Sequence, residues 1–140
     1  MERVENWPNA LDEWIEWNRN IPFEWGVHDC LLFAASTIKQ ITGFDPASEY
    51  RGTYSTALGA YRIIEDAGGI DQLIESCLPD GTERRTHRNL AGRGDLVTHL
   101  DAKGRTAAGI VANGCAVFPG PEKLTFLKIR DCNLRAWRIG

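Results

Sequence analysis

Apolar positions in the first half of the chain recur at the spacing of three and four residues that is typical of helices buried on one side. The clearest run follows Asp29 and Cys30, where apolar residues continue to Ile41 and stop before Gly43. Aspartate is a favoured N-cap residue, and glycine adopts the left-handed conformation that commonly ends a helix. We therefore predict a buried helix from about Asp29 to Thr42, with the cysteine in its first turn.

Three further stretches before residue 80 have helical patterning. They are a segment that begins near Asn6–Trp7–Pro8 and ends at Asn18, a segment from about Ser55 to Ala67, and a short one from Asp71 to Cys77. Proline suits the first turn of the first segment, whereas Gly68–Gly69 and Pro79 stop the other two.

The first of these segments is amphipathic. Its apolar face contains Leu11, Trp14 and Ile15, and this face could extend to Trp17. Four of the five tryptophans lie in the first 25 residues. A tryptophan stripe at helical spacing is more often core than a platform for a ligand. Whether these N-terminal tryptophans belong to the core or to an interface stays open.

The pattern changes after residue 94 to short strand-like segments. They cover residues 95–100, 106–112, 115–118, 124–129 and 134–139, and Asn113–Gly114 is a strong signal for a two-residue hairpin. Helices followed by strands indicate an α+β domain. We predict a single domain over residues 1–140, with a helical part at about 1–80, a connector at 82–94 and an antiparallel sheet of about five strands at 95–140.

The connector at 82–94 is polar and rich in arginine. We interpret it as exposed, with His87 solvated. Contact between this basic segment and an anionic partner is an open alternative. Asp95, which follows Gly94, is interpreted as a residue of the turn or of the start of the next strand.

Composition narrows the class of protein. The chain has 140 residues and a net charge of -3, so we expect no electrostatic binding of nucleic acid or of an anionic membrane. No apolar run is long enough to span a bilayer, and the charged N-terminus lacks a signal-peptide core. We therefore expect a reducing compartment, in which the cysteines are thiols. No C-x-x-C pair or Cys/His cluster occurs, so no metal and no cofactor is expected.

Cys30 is the candidate for chemistry. A thiol in the first turn of a helix lies near the positive end of the helix dipole and near unpaired N–H groups, and both favour the nucleophilic thiolate. The alternative is a small buried thiol that packs a helix end, as free cysteines commonly do. Asp29 also has two interpretations, a helix cap or a residue that orients a histidine, and we favour the cap. Cys77, Cys115 and Cys132 are interpreted as packing residues.

The order of these features resembles the NlpC-type cysteine peptidases. The resemblance rests on Asp29–Cys30 at a helix start, the segment Arg93–Val97, and the segment Ala108–Gly114, and it covers roughly residues 20 to 118. It implies a papain-like fold in which the cysteine-bearing helix packs on the sheet. It also implies a relation to enzymes of which many cleave peptidoglycan stem peptides.

The whole chain also resembles a group of small phage proteins. These carry a Trp-Gly-x-x-Asp-Cys motif near the front, here Trp25 to Cys30, and an Ala-Trp-Arg-Ile ending, here Ala136 to Ile139. They are similar to products encoded among tail-tip genes, where an NlpC-type peptidase often stands. The resemblance implies a role in the virion tail or in its assembly.

The chain departs from the peptidase pattern at the histidine. The family's histidine position is occupied by Ala107, so Cys30 carries over as the nucleophile but the general base does not. A papain-like reaction needs an imidazole within hydrogen-bond reach of the sulfur. If Leu100 pairs with Thr106, then His99 lies opposite Ala107, with the β-carbons about 5 Å apart, and could substitute.

A register slip of one residue would turn His99 to the other face of the sheet. His99 could equally be a histidine at an exposed strand end. His28, two residues before Cys30, is expected to point elsewhere if Asp29 caps the helix.

These features lead to two main hypotheses of function. The first is a phage or prophage tail-tip or tail-assembly protein, a pseudoenzyme that binds other tail-tip or baseplate hub proteins. It would reside in the host cytoplasm during assembly and then in the virion tail. The second is an active cysteine peptidase or amidase that cleaves peptidoglycan stem peptides with Cys30 and His99. A toxin-immunity or host-modulating protein is a third possibility.

Overall fold

The first half of the chain folds into four helices in the computed structural model, which describes residues 1–140. The helices are α1 (Trp7–Asn18), α2 (Cys30–Thr42), α3 (Ala57–Asp66) and α4 (Ile70–Cys77). The predicted ends of α2 are confirmed, because Asp29 caps its first turn and Gly43 ends it with a φ of 80°. None of the four has the length and apolar character that crossing a bilayer requires.

The second half forms one antiparallel sheet. Its strands are β1 (Leu96–Leu100), β2 (Thr106–Val111), β3 (Cys115–Pro119), β4 (Leu124–Lys128) and β5 (Leu134–Trp137), in the spatial order β4-β3-β2-β1-β5. Every neighbouring pair is antiparallel. The predicted α+β class with five antiparallel strands is confirmed.

The sheet has two apolar faces with different partners. On one face, Ala108 and Ile110 pack in the same core as Phe33 and Ile38 of α2. On the other face, a separate cluster that includes Val97 is closed over by the chain around residues 129–134. Side chains alternate between the faces of a strand, so each position of β1 and β2 belongs to one of these two cores.

The first helix packs on α2 through a narrow stripe. Leu11 and Ile15 are buried, and the indole N–H of Trp14 donates to Thr37 Oγ1 at 3.1 Å. Trp17, however, is 77% exposed, so the expected extension of the apolar face to this residue is wrong. It follows Ile15 by two residues, which places it about 200° further round the helix.

Asp95 is the most enclosed charged group of the fold. Its side chain has no exposure. Its Oδ1 accepts from Arg3 at 3.3 Å and from the Ile139 N–H at 3.2 Å, and its Oδ2 accepts from Arg85 at 3.0 Å and the Gly92 N–H at 2.8 Å. The interpretation as a turn or strand-start residue is confirmed, because the Asp95 N–H donates to the Gly92 carbonyl at 2.9 Å and β1 begins at the next residue. In addition, the carboxylate joins the N-terminus, the connector and the C-terminus.

The connector is more ordered than a solvated linker. The Arg85 N–H donates to the Ala136 carbonyl at 2.7 Å, and the Arg138 N–H donates to the Glu83 carbonyl at 2.8 Å. The connector therefore covers part of the outer edge of β5, which would otherwise be open to another chain. His87 is exposed, as predicted, and its Nδ1 accepts from the Asn89 N–H at 3.1 Å at the start of a 3-10 turn.

Replacing Asp95 by asparagine should destabilise the protein severely. The variant leaves the partly buried guanidinium groups of Arg3 and Arg85 without their shared anion. Breaking a buried pair costs roughly 3–5 kcal/mol, and the residual exposure of the arginines places the expected loss towards the lower end. Urea denaturation of Asp95→Asn measures the loss. The matched control is Glu16→Gln, which removes an exposed ion pair with Arg19 and should change stability by less than about 1 kcal/mol. Equal stability of the two variants would contradict the assigned role of Asp95.

Candidate functional site

Cys30 is the first residue of α2 and packs beside the core between this helix and the sheet. Three backbone N–H groups lie close to its sulfur, those of Cys30, Leu31 and Ala108. The pairing of β2 with β3 ends at Ile110 and Val117, so the N–H of Ala108 is not part of that ladder. The thiol therefore lies where the helix start meets a part of β2 that is paired with β1 but not with β3.

The thiol of Cys30 is kept neutral by its surroundings. Burial is the largest influence and raises its pKa above the ordinary value, and the carboxylate of Asp29 raises the pKa further. The three N–H groups favour the thiolate and act in the opposite direction, but they are outweighed. The expected activation of Cys30 by the helix start is therefore not achieved in this environment.

Asp29 is a structural cap, as favoured from the sequence. It is 2% exposed, and its carboxylate accepts hydrogen bonds from the N–H groups of Leu32 at 2.9 Å and Gly26 at 3.0 Å and from the hydroxyl of Tyr54. It has no hydrogen bond to a histidine. This carboxylate joins the turn before α2, the helix itself and the segment that leads to α3.

Gly26 explains the glycine of the Trp-Gly-x-x-Asp-Cys motif. Its φ is +79°, a conformation that L side chains rarely adopt. A β-carbon at this position would also lie 2.2 Å from the carbonyl oxygen of Tyr54. The glycine and the aspartate of the motif are therefore both explained by the folding of this turn, without a role in catalysis.

His28 precedes Cys30 by two residues and is buried, but it does not act on the thiol. It is 6% exposed, its ring packs edge-on against Phe33 at 5.8 Å, and its Nε2 is buried without a partner. Burial lowers the pKa of His28, and the nearby Asp29 carboxylate only partly opposes this. The imidazole is thus neutral and makes no hydrogen bond to the sulfur of Cys30.

β1 and β2 adopt the register that was considered for His99 from the sequence. Leu100 pairs with Thr106, and His99 lies opposite Ala107. The ring of His99 lies 6.1 Å from that of Phe118, on the face of the sheet that the helices do not cover, and its Nδ1 accepts from the Asn133 N–H at 3.0 Å. The structure therefore does not bring His99 to Cys30, because the sheet lies between them.

The same geometry applies to Ala107. Its side chain packs with the cluster on the far face, whereas Ala108 packs with α2. A histidine at position 107 would therefore project away from the thiol, and the β2 position beside Cys30 is Ala108. Both positions hold alanine, so β2 supplies no imidazole on either assignment.

An apolar cleft lies between α2, α3 and α4; Leu31 lines it, but Cys30 does not. Its cavity volume is about 60 Å³, and 13 of its 14 lining residues are hydrophobic. Leu31, Tyr54 and Ile74 are among them, and so is Cys77, whose pKa is raised by burial. The sequence indicated the apolar faces of these helices but not the gap between them.

Acid should reveal the burial of His28. Its folded pKa lies below its unfolded value near 6.5, so the unfolded chain binds the proton first. The stability linked to His28 is fully present above pH 6.5 and is lost as the pH falls through the lower folded pKa. Urea denaturation at pH 7.5 and 5.5 should show a smaller loss in His28→Asn than in the wild type. The exposed His87→Asn is the control and should keep the wild-type loss; an unchanged loss in His28→Asn would contradict this role.

The comparisons with known proteins identify one family. No curated protein and no solved structure matches this chain. A family model described as "Domain of unknown function (DUF6950)" matches residues 2–139. The chain therefore belongs to the DUF6950 family.

Proposed function

We propose that the protein is a tail-tip or tail-assembly structural component of a phage or prophage, built on a degenerate papain-like scaffold of the NlpC type. The observation that carries the loss of catalysis is the state of Cys30, a neutral thiol without a hydrogen bond to an imidazole, since His28 packs on Phe33 and His99 lies on the other face of the sheet. The tail role itself rests on the Trp-Gly-x-x-Asp-Cys motif and the Ala-Trp-Arg-Ile ending.

Amide cleavage by this thiol lacks its proton carrier. An imidazole would have to take the proton from the sulfur and later return it to the leaving amine, which contributes about 10²–10⁴-fold to such reactions. Asp29 cannot replace it, because its carboxylate is engaged by three donors and raises the pKa of the thiol. The N–H groups around the sulfur could stabilise an oxyanion, but only after a nucleophile has formed.

The arrangement around α2 supports the papain-like part of the proposal. A cysteine opens a buried helix, this helix packs on an antiparallel sheet, and the adjacent strand directs a backbone N–H at the sulfur. These are the relations that the resemblance implies. What differs is the side chain on the strand, which is alanine.

An exposed apolar surface supports a role in assembly. It is formed by Val27 and Trp25 in the turn before α2 and by Leu58 and Tyr61 on α3, where the two aromatic rings meet edge-on at 5.7 Å. Val27, Leu58 and Tyr61 are 66%, 59% and 57% exposed. Clustered apolar side chains on a surface mark interaction sites, and aromatic residues are enriched in interfaces. Other tail-tip or baseplate hub proteins would cover this surface after assembly in the host cytoplasm.

An active cysteine peptidase or amidase is the second candidate. The observation in its favour is the convergence of three N–H groups on the sulfur of Cys30. This function would need an imidazole from outside the present site. His99 could supply it only by crossing from the other face of the sheet.

Reactivity of the thiols separates the two candidates. Under the proposed function, iodoacetamide at pH 7.5 should modify Cys30 more slowly than Cys115, since a raised pKa leaves little thiolate. Peptide mapping by mass spectrometry gives both rates in one sample, and peptidoglycan stem peptides should stay intact. Preferential labelling of Cys30, together with cleavage that Cys30→Ser abolishes, would overturn the proposal in favour of the peptidase.

Complementation tests the assembly role. In a phage from which the gene is deleted, Cys30→Ala should restore infectious particles as the wild type does. Leu58→Ser and Tyr61→Ser should fail because they remove exposed apolar contacts, whereas Arg62→Ser on the same helix should succeed. Plaque counts and electron microscopy of tails provide the readout, with circular dichroism of the purified variants as the folding control. Normal tails without the gene would rule out this role.

A further inference from the structure

We infer that the pocket between residues 84–88 of the connector and β5 binds a phosphoryl group, either as inorganic phosphate or as part of a small phosphate ester. This inference is independent of the proposed function. It assigns a binding site to the connector, which the sequence analysis described as a basic, exposed segment.

The pocket forms because the connector leaves the edge of β5. The connector pairs with β5 through Glu83 and Arg85, and after Arg85 it makes no further backbone hydrogen bond to the strand. The next link is the guanidinium of Arg88, which donates from Nη1 to the carbonyl of Cys132 at 2.9 Å. The gap between these two links is open to solvent and is lined by both segments.

Arginine dominates the lining of this gap. Arg84, Arg85, Arg88 and Arg135 all contribute to it, and no aspartate or glutamate does. Four arginines without a carboxylate among the lining residues are unusual in a chain whose net charge is -3. The local potential is therefore opposite in sign to that of the whole protein.

The carboxylates behind the wall neutralise it only in part. Asp71 is shared between Arg84, at 3.4 Å, and Arg135. Asp95 is likewise shared between Arg85 and Arg3. Glu75 lies 3.6 Å from Arg84 and is half exposed.

Arg88 is the arginine of this pocket that has no carboxylate partner. No carboxylate lies within 4 Å of its guanidinium, and its one hydrogen bond within the protein goes to a backbone carbonyl. Its Nε and Nη2 donors are unused. An arginine fork with free donors at a concave surface matches the oxygens of a phosphoryl group.

Two neutral donors add to the cationic ones. Nδ1 of His87 accepts from Asn89, so the neutral ring carries its proton on Nε2. In β5 the N–H groups of Arg135 and Trp137 face β1, so the N–H of Leu134 faces the connector, where it has no acceptor in the protein. The donors therefore come from both walls of the pocket.

The number and placement of these donors favour a tetrahedral anion over a carboxylate. One guanidinium fork already satisfies the two oxygens of a carboxylate. A phosphoryl group presents three or more oxygens in different directions, which suits donors that approach from two walls. The higher negative charge of phosphate also matches the uncompensated guanidinium group of Arg88 better.

Titration of the full-length protein followed by ¹H–¹⁵N NMR tests the inference. Inorganic phosphate and glycerol phosphate, added at constant ionic strength against sodium chloride, should produce saturable shifts confined to the amides of residues 84–88 and Leu134. A tighter response to one of the two compounds identifies the source of the phosphoryl group. Both outcomes support the site.

Substitutions make the test specific. Arg88→Ala should weaken phosphate binding about tenfold or more, because a hydrogen bond to a charged group is lost. The exposed Arg105→Ala, far along the chain in the β1–β2 turn, is the matched control and should bind as the wild type does. Circular dichroism shows whether each variant is folded.

Three results would overturn the inference. They are shifts that sodium chloride reproduces, wild-type phosphate affinity in folded Arg88→Ala, and tighter binding of a glutamate-rich peptide than of either phosphate compound. The last result would instead identify a docking surface for an acidic protein segment.

Discussion

A single buried carboxylate determines how the ends of the chain meet. Asp95 is removed from water, which is costly for an ion unless several donors replace the water. Those donors come from residue 3, from the connector and from the last residues before the C-terminus. The connector is therefore held against β5, and the arginine-lined pocket is a consequence of where that restraint ends. A turn residue thus holds together the N-terminus, the connector and the C-terminus.

The Trp-Gly-x-x-Asp-Cys motif has an equivalent role at the other site. Gly26 allows the close approach to Tyr54, and Asp29 gathers the donors of the turn, of α2 and of Tyr54. Both residues are needed to place Cys30 at the start of a buried helix, whether or not the thiol reacts. The motif by itself therefore predicts a local fold. Catalysis would also need an imidazole, which β2 does not provide.

Much of the fold was predictable because its signals are local. Caps, glycine stops and helical spacing located all four helices, and Asn113–Gly114 with the alternating segments located the five strands. The register of β1 and β2 was left open, and the structure adopts the one that places His99 opposite Ala107. Trp17 was wrongly added to the apolar face, although its position already follows from helix geometry. The partners of the Asp95 carboxylate and the hydrogen bonds of the connector to β5 were not predicted, because they come from segments far away in the chain.

The candidate site shows the same division. Residue order was enough to place Cys30 in the first turn of a capped helix and to show that alanine occupies the expected base position. It could not show which face of the sheet α2 covers, because side chains on a strand alternate and either phase satisfies the same pattern. In the folded protein, Phe33 and Ile38 of α2 pack on the face of the sheet that carries Ala108 and Ile110. His99 therefore lies on the opposite face, beside Phe118. The balance between desolvation and helix dipole at the thiol likewise depends on burial, which arises only when helix and sheet come together.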